Sequence, residues 1–323
     1  MEIKRILVPA AAVALFVPLA AQAQEYPSKP ITLVVPYPPG GSADLIGRVL
    51  ADKLGTRLGQ AIVVENRGGA AGAIGSESVA RAKADGYTLL IGISDTHAIG
   101  PAVNPALPYD AEADFAPVSL LAVQPLNLAV GATSGITSLA EFVERAKAEP
   151  GKVTYASNGI GGIQHLAMEL FSTQAGIETL HIPYPGAGPA ITDVIGGHVN
   201  GLFISYQAAG SHIEAGNMTA LAVSSEERLA ALPDTPTFAE AGFAEFQANQ
   251  WYGLFAPAGT PEDIVQKLAE ESAAVMSDPE VAQPLLDAGT RPIGGTPGEF
   301  TTFLGEQIGI WKGVAQQSNV KLD

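Results

Sequence analysis

Hydrophobic residues along the chain alternate between two spacings. Short runs rich in valine, isoleucine and leucine, typical of buried strands, are each followed by apolar residues three and four positions apart, typical of helices. The pattern predicts strand, helix, strand, helix and strand over Ile31–Pro36, Ser42–Leu58, Ala61–Glu65, Ala73–Lys83 and Tyr87–Ile93. This order indicates parallel strands with right-handed helical crossovers in an open α/β sheet.

A second alternating run follows Ser138, which we expect to cap a helix because Glu141 comes three residues later. Its further elements are predicted at Val153–Ser157, Gly162–Gln174, Thr179–Ile182, Ala187–Ile195, Val199–Ser205 and Met218–Ser224. Between the two runs, Phe115–Gly131 is a long extended stretch that "QPLN" is expected to break. We place the first crossing between two lobes there.

The last segment begins with a predicted strand at Trp251–Ala256. A helix should follow, with Thr260 as its cap, Pro261 at its first position and Asp263 closing a capping box. Two more helical stretches follow, and we expect this tail to return to the first lobe.

The chain is therefore predicted to be a two-lobed α/β protein, each lobe a mixed, mostly parallel sheet flanked by helices. Residues 26–124 and 251–323 form the first lobe, and residues 125–250 form the second. A two-strand hinge is expected near Val123–Asn127 and Ala248–Trp251, with a ligand cleft between the lobes. The length of 323 residues without cysteine also favours two self-supporting cores.

The N-terminus has the pattern of a cleaved export signal. Lys4 and Arg5 precede an apolar run over Ile6–Ala20, and "AQA" at residues 21–23 is typical of a signal peptidase site. A membrane anchor is the alternative, but the run is shorter than a spanning helix requires and two prolines interrupt it. Residues 1–23 are thus predicted to be a signal peptide.

The charge balance limits the kind of partner. The sequence has 17 Lys and Arg against 33 Asp and Glu, a net charge of −16. Such an acidic surface argues against binding nucleic acid or an anionic membrane. Binding of a small anion remains possible, because exposed charges more than roughly 8–10 Å away are largely screened. Whether an anion binds therefore depends on the hydrogen-bond donors close to it.

One motif occurs twice, about half a chain apart. "VPYPPGGSADLIG" starts at Val35 and "IPYPGAGPAITDVIGG" at Ile182; each joins a strand to a helix through glycines and has no Lys or Arg. Ligands bind at the carboxyl ends of such strands, and the first turn of a helix offers free N–H groups. We predict that the two loops face each other and hold a carboxylate with main-chain amides. Ordinary strand–helix turns are the alternative.

Two more loops at strand ends carry small polar residues. "GISDTHAIGP" contains Ser94, Asp95, Thr96 and His97, and "YASNGIGGIQHL" contains Ser157, Asn158 and Gly159. The first loop contains the residue types of a serine-hydrolase catalytic triad. Residues that are neighbours in sequence do not form the geometry of such a triad, however, and the sequence has no G-x-S-x-G motif, so a hydrolase site is disfavoured. A dinucleotide loop is disfavoured because Gln164 takes the third glycine's place.

A metal site is also considered at His165 and Glu169, which lie four residues apart on a helix. Neither a cysteine nor a histidine cluster accompanies them, so His165 is better interpreted as a polar residue near a helix N-terminus. Tyr37 and Tyr184 either flank a ligand or pack at the base of their loops.

Several segments resemble one known family across the mature chain. They are "YPSKPITLVVPYPPGGSADLIGRVLADKL", "IVVENRGGAAGAIGSESVARAKADGYTLL", "SNGIGGIQHLAMELF", "IPYPGAGPAITDVIGGHVNGLF" and "WYGLFAPAGTP". They resemble the periplasmic receptors of tripartite tricarboxylate transporters, the Bug receptors. The resemblance implies a periplasmic binding protein of the type II, venus-flytrap kind. Such a receptor closes on a small organic anion and delivers it to membrane permease subunits.

The resemblance also implies which residues touch the ligand. Asp95 departs from the family, where a small polar residue is usual. Facing the cleft, it would repel a second carboxylate or attract an amine; the alternative is that it points outward. The candidate ligand-binding residues are Tyr37, Pro39, Gly40, Gly41, Ser42, Asp44, Ser94, Asp95, Thr96, Ser157, Asn158, Gly159, His165, Tyr184, Gly186, Ala187, Gly188 and Ser205.

Together these observations predict a periplasmic, monomeric receptor for a small mono- or dicarboxylate. We expect no catalytic residue, metal or cofactor, and no nucleic-acid partner. Two alternatives stay open: a secreted hydrolase-like enzyme that uses the Ser, Thr and His residues of the cleft, and a ligand-sensing subunit of a membrane kinase.

Overall fold

The computed structural model describes residues 26–322. The predicted signal peptide over residues 1–23 lies outside the described residues. Strands within this part of the chain are β1 (Ile31–Val35), β2 (Ile62–Asn66), β3 (Thr88–Ile93), β4 (Phe115–Gly131), β5 (Val153–Ser157), β6 (Thr179–Pro183), β7 (Gly201–Ser205), β8 (Met218–Val223), β9 (Asn249–Pro257) and β10 (Arg291–Pro292).

Helices connect these strands and cover the sheet. They are α1 (Ser42–Leu58), α2 (Ala73–Ala80), α3 (Gly100–Val103), α4 (Leu139–Ala148), α5 (Ile163–Ala175), α6 (Ala187–Ile195), α7 (Tyr206–Glu214), α8 (Glu262–Met276), α9 (Pro279–Asp287) and α10 (Pro297–Ser318). The spacing of apolar residues predicted α1 and α6 residue for residue. None of the helices in residues 26–322 is long and apolar enough to cross a membrane.

The strands form a continuous sheet in the order β2-β1-β3-β9-β4-β7-β5-β6, to which β8 and β10 add by pairing with β4. β1 pairs in parallel with β2 and β3, and β5 pairs in parallel with β6 and β7. β9 and β4 are antiparallel to their neighbours. The predicted α/β class, with a mixed sheet flanked by helices, is confirmed.

The long strand β4 is shared by two halves of the sheet. Over Phe115–Pro125 it pairs with β9, and from Leu126 to Gly131 it pairs with β7 and β8. The expectation that "QPLN" breaks this stretch is wrong, because the backbone stays extended through it. Pro125 lies where β4 changes partners, a position at which a missing N–H disturbs the ladder least. We call the β1, β2, β3 and β9 side the first sheet half and the β5–β8 side the second.

The C-terminal helices pack on the first sheet half. Helix α8 contacts α1 and β4. Ion pairs join Arg57 to Glu271 and Lys53 to Glu280. The predicted capping box is wrong, because α8 begins at Glu262 without a side-chain cap. The hydroxyl of Thr260 instead donates to the carbonyl of Pro257, 2.7 Å away, and is not available to the helix.

Aromatic side chains fill the core beneath β9. Trp251, Phe255 and Phe300 are fully buried. The ring of Phe300 lies directly on Gly253, where a Cβ atom would stand 2.1 Å from it. A glycine is therefore required here for α10 to reach the sheet.

Candidate functional site

A cavity of about 480 Å³ opens where the carboxyl ends of strands from both sheet halves converge. Segments after β1, β3, β5, β6 and β7 line it together with strands β4 and β9. Its lining residues are Tyr37, Pro38, Pro39, Gly41, Ser42, Ala43, Ile93, Asp95, Gln124, Leu126, Asn158, Gln164, Ala187, Ile204, Ser205, Ala208, Gln250 and Tyr252.

The structure brings together only part of the predicted site. The candidates that line this cavity are Tyr37, Pro39, Gly41, Ser42, Asp95, Asn158, Ala187 and Ser205. The candidates that do not line it are Gly40, Asp44, Ser94, Thr96, Ser157, Gly159, His165, Tyr184, Gly186 and Gly188.

The first repeated loop leads into an uncapped helix. Gly41 is the N-cap of α1, in an extended conformation with φ −85° and ψ 173°, and no side chain caps the first turn. A Cβ atom on Gly41 would meet nothing within 4 Å. The N–H groups at this end of α1 are thus accessible from the cavity, together with the positive end of the helix dipole.

Asp44 lies beneath this loop and holds its shape. Its side chain is 4 % exposed, and its Oδ2 atom accepts the Gly40 N–H at 2.9 Å and the Arg48 Nε–H at 2.9 Å. Its Oδ1 atom accepts from Asn66 Nδ2, also at 2.9 Å. The hydrogen bond from Arg48 is the main cause that lowers the pKa of Asp44 to about 2. All this places Asp44 as a support of the loop rather than as part of the cavity wall.

The second repeated loop contributes less to the cavity than its sequence suggests. Gly186 is the extended, uncapped N-cap of α6, and only Ala187 of this loop lines the cavity. Tyr184 turns toward its own helix and donates to Asp193 Oδ2 at 2.7 Å; burial, then Asp193, raises its pKa to about 12. Tyr37, in contrast, lines the cavity and donates to the Ala71 carbonyl at 3.0 Å.

Asp95 connects the two sheet halves across the cavity. It follows β3, and its Oδ1 atom accepts the backbone N–H of Ile163, the first residue of α5, at 3.0 Å. Ser94 donates to its other oxygen at 3.2 Å. Burial raises the pKa of Asp95, and the hydrogen bond from Ile163 opposes that rise. Thr96 is turned inward, with its hydroxyl between the backbone of Ile93 and the ring of a buried histidine.

A pair of stacked histidines supports the loop after β5. The rings of His165 and His181 lie 3.8 Å apart, centroid to centroid. His165 Nδ1 accepts the Gly161 N–H at 3.1 Å, and His181 Nε2 lies 2.6 Å from Ser157 Oγ. Ser157 is 1 % exposed, so only Asn158 of this loop reaches the main cavity.

These histidines should make the protein sensitive to mild acid. Burial lowers the pKa of His165 and of His181 to about 4, so both are neutral in the folded protein at pH 7. The unfolded chain binds protons at a pKa near 6.5, so their contribution to stability is complete above about pH 6.5 and is lost as the pH falls toward 4. We expect the free energy of unfolding, measured by urea denaturation, to fall between pH 7 and 4.5.

A double variant isolates this effect. His165→Gln with His181→Gln should be less stable than the wild type at pH 7, but should lose less stability between pH 7 and 4.5. Equal slopes for the two proteins over that interval would contradict the assignment to these rings.

A second cavity of about 470 Å³ adjoins the first. Tyr37, Asp95 and Asn158 line both. The predicted site residues Thr96 and Gly159 line this second cavity. Most of its wall is apolar or glycine: Ala70, Ala71, Ala73, Gly100, Val103, Leu107, Ile160, Gly161, Gly162 and Leu322.

Sequence reasoning missed the polar residues that the central strands supply. Gln124 of β4 donates to Gln207 and to Thr290, both at 3.0 Å, and accepts from Tyr252 at 3.0 Å. Gln250 of β9 is 8 % exposed; its Nε2 atom makes no hydrogen bond within 3.5 Å to the described residues, but its amide lies close enough to Asp95 to lower the pKa of that carboxyl. The available signal was a glutamine inside each otherwise apolar strand.

The electrostatic character of the cavities is unusual for an anion site. Among the described residues that line them there is no Lys, Arg or His. The available donors are main-chain N–H groups and the neutral side-chain amides of Asn158, Gln164 and Gln250. Such a set suits one carboxylate group better than a phosphate, which usually recruits arginine or lysine.

Comparisons with known proteins identify the family. A family model described as "Tripartite tricarboxylate transporter family receptor" matches residues 46–320. The chain belongs to this receptor family. Its members are periplasmic solute-binding receptors, and the receptor described here is similar to Protein BugT of Bordetella pertussis, with 38 % identity over 301 residues, 93 % of this chain and 92 % of BugT.

Two solved structures extend the likeness to the fold. A protein of R. palustris solved with adipate is 34 % identical, with a TM-score of 0.82, covering 92 % of this receptor and 99 % of that chain. MatC from Rhodopseudomonas palustris, solved with bound malate, is 32 % identical, with a TM-score of 0.77, covering 90 % of the receptor and 99 % of MatC. The predicted family and two-lobed fold of this receptor are therefore confirmed.

Proposed function

We propose that this receptor binds a small organic carboxylate between two lobes and delivers it to a tripartite tricarboxylate-type membrane permease. The proposed lobes are residues 26–124 with 251–323, and residues 125–250, and the receptor acts as an exported monomer. The proposal is supported by family membership and by the adipate and malate in the two structural neighbours.

One observation carries the choice of ligand. The uncapped N-terminus of α1 at Gly41 and the start of α6 at Ala187 line the same cavity, which has no cationic side chain among the described residues. Main-chain amides can bind an anion without a basic residue when they sit at the positive end of a helix. A carboxylate, with two acceptor oxygens, matches this arrangement.

The energetics allow useful affinity. Each hydrogen bond to a charged group contributes about 1.5–3 kcal/mol. Four to six such bonds, less the cost of association, support roughly micromolar binding, which corresponds to about 8 kcal/mol.

Closure of the lobes would use contacts that already bridge the sheet halves. Ser42 Oγ and Gln124 Nε2 both donate to the side chain of Gln207 on α7, and Ile163 donates to Asp95. These bonds lie around the cavity, whereas the connection between the lobes runs through β4 and β9. We propose that opening breaks these hydrogen bonds to Gln207 and Asp95 and bends β4 and β9, so that the solute enters between Ser42 and Gln207.

We propose no catalytic step. The pair most like a nucleophile and its base is Ser157 with His181, 2.6 Å apart. Ser157 is buried, its hydroxyl also donates to the Gly159 carbonyl, and it does not line the main cavity. A substrate held there could not reach it.

A thermal-shift screen of small carboxylates tests the proposal. A ligand present at 100 times its dissociation constant should raise the free energy of unfolding by about 2.7 kcal/mol. Matched alcohols and amides without the acid group should give no shift. Stabilisation by none of the carboxylates, or hydrolysis of an ester by the pure protein, would contradict it.

Gln250 provides a variant that should affect binding more than stability. Gln250→Leu removes a buried amide that makes no close hydrogen bond through Nε2 but lies beside Asp95, so we expect the free energy of unfolding to fall by no more than about 1 kcal/mol. Ligand binding should weaken about 10- to 100-fold, because a hydrogen bond to the carboxylate is lost. Isothermal titration against the best carboxylate of the screen measures this. Gln266→Leu, on the exposed face of α8, is the control and should leave affinity unchanged.

A further inference from the structure

We infer that Asp95 selects the solute: the receptor prefers an amino carboxylate, whose ammonium group Asp95 accepts, over a dicarboxylate of the same length. This inference rests on the proposed carboxylate-binding function and names its substrate class. The preferred ligand would then differ in class from the adipate and malate bound by the two structural neighbours.

The position of Asp95 puts its charge where a ligand must pass. It lines both adjoining cavities, as do Tyr37 and Asn158. A solute that fills either cavity therefore lies beside this carboxylate. A solute that extends from one cavity into the other must cross it.

The surroundings leave the charge of Asp95 without a counter-ion. Its neighbouring donors are neutral: the Ile163 N–H at 3.0 Å, the Ser94 hydroxyl at 3.2 Å, and the side-chain amide of Gln250, which lowers the pKa of Asp95. No ion pair of the described residues includes it, and no Lys, Arg or His of those residues lines either cavity. A partly buried carboxylate of this kind attracts a cation and opposes a second anion.

The two oxygens of Asp95 have room for another donor. A carboxylate offers about four acceptor sites; the Ile163 N–H takes one on Oδ1 and the Ser94 hydroxyl one on Oδ2. Burial raises the pKa of Asp95, the hydrogen bonds from Ile163, Gln250 and Ser94 oppose that rise, and a ligand ammonium group beside it would favour the ionised form further. An ammonium group, which carries three N–H donors, can use the remaining sites.

A second observation indicates that the same cavity also has a place for the acid end. Gln250 lines it, is more than nine-tenths buried, and makes no hydrogen bond through Nε2 to the described residues within 3.5 Å, although its amide lies beside Asp95. The amides at the start of α1 add further donors. The cavity thus combines neutral donors for a carboxylate with one anionic acceptor for a cation, which is the pattern of a zwitterion.

Matched ligand pairs test this in the wild-type protein. 3-Aminopropanoate, 4-aminobutyrate, 5-aminopentanoate and L-2-aminobutyrate are each compared by isothermal titration with the diacid that replaces the ammonium by a carboxylate: succinate, glutarate, adipate and ethylmalonate. We expect the tightest amino carboxylate to bind at least tenfold more tightly than its partner diacid at pH 7.

Asp95→Asn supplies the second arm. Asparagine keeps a side-chain oxygen for the Ile163 N–H, so the lobes should still meet. We expect the variant to lose at least tenfold in affinity for the best amino carboxylate and to gain at least tenfold for its partner diacid. Asp52→Asn, on the exposed face of α1, is the matched control and should change neither.

The outcomes separate the two proposals. A wild type that prefers the diacids, together with an Asp95→Asn variant that binds them no more tightly, overturns the role of Asp95 and leaves carboxylate binding intact. Binding of no amino carboxylate, diacid or monocarboxylate at all overturns the proposed function, and this inference with it.

Discussion

A Gly41→Asp receptor should fold as well as the wild type and yet lose ligand affinity by more than about 100-fold. Gly41 is the N-cap of α1 with backbone angles that any residue adopts, and its missing Cβ would meet nothing within 4 Å. Aspartate is a favoured N-cap, so the stability should stay equal or rise by a few tenths of a kcal/mol.

The loss of affinity has two causes in this variant. The new carboxylate accepts the N–H groups at the start of α1, which are then unavailable to the ligand, and it repels the ligand's own carboxylate. Loss of two charge-assisted bonds costs about 3–6 kcal/mol, which corresponds to a more than 100-fold weaker complex. Titration of the best carboxylate from the screen, with urea denaturation in parallel, measures both quantities.

Gly41→Asn is the control for this experiment. Asparagine caps a helix about as well as aspartate and has nearly the same shape, but it is neutral. Its complex should be weakened less than that of Gly41→Asp, and the difference reports the charge alone. Undiminished affinity in Gly41→Asp would show that the ligand's acid group lies elsewhere.

Replacing Asp44 by alanine should destabilise the folded protein by about 2–4 kcal/mol, since it leaves three donors in and around the loop without their acceptor. Those donors are the Gly40 N–H, Asn66 Nδ2 and Arg48 Nε. The loop that carries Gly41 would lose its support, so affinity should fall as well. Urea denaturation at pH 7 measures the loss of stability.

The pH dependence of the difference in stability between the wild type and Asp44→Ala tests whether the ionised carboxylate is its cause. The pKa of Asp44 is lowered to about 2, so its contribution is complete above the unfolded value near 4 and disappears as the pH falls through 2. The wild type and Asp44→Ala should therefore converge in stability at about pH 2. Arg48→Ala, which removes a half-exposed partner, should cost less than about 1 kcal/mol at pH 7. A larger loss from Arg48→Ala than from Asp44→Ala would contradict this account.

Secondary structure was largely predictable because apolar spacing is a local property. Helix α1 and strand β5 have the predicted bounds, and Ser138 caps α4 by accepting the Glu141 N–H. The error at the predicted capping box arose because a side chain had two possible local partners. Thr260 bonds to a strand carbonyl instead of its helix, and that choice depends on where β9 ends.

The site was predictable at the level of loops but not of side chains. The sequence motif repeats, yet Tyr37 faces the cavity whereas Tyr184 bonds to Asp193 on its own helix. Asp44 and Asp95 were both candidates, and only the tertiary structure shows that one supports a loop and the other lines the cleft. Gln250 was missed because a glutamine in an apolar strand carries no sign of which face it occupies.

The anion site proposed at Gly41 consists of backbone N–H groups at the start of α1, and this has a consequence for how receptors of this family diversify. In the proposed binding mode, affinity for the acid group would depend on glycine spacing and helix placement, which substitutions around the cavity leave untouched. Discrimination among solutes would depend on separate side chains that line the cavity, among them Asp95, Asn158 and Gln164. The solute specificity of such a receptor can therefore change by substitution of one of these residues, while the backbone amides proposed to bind the carboxylate stay the same.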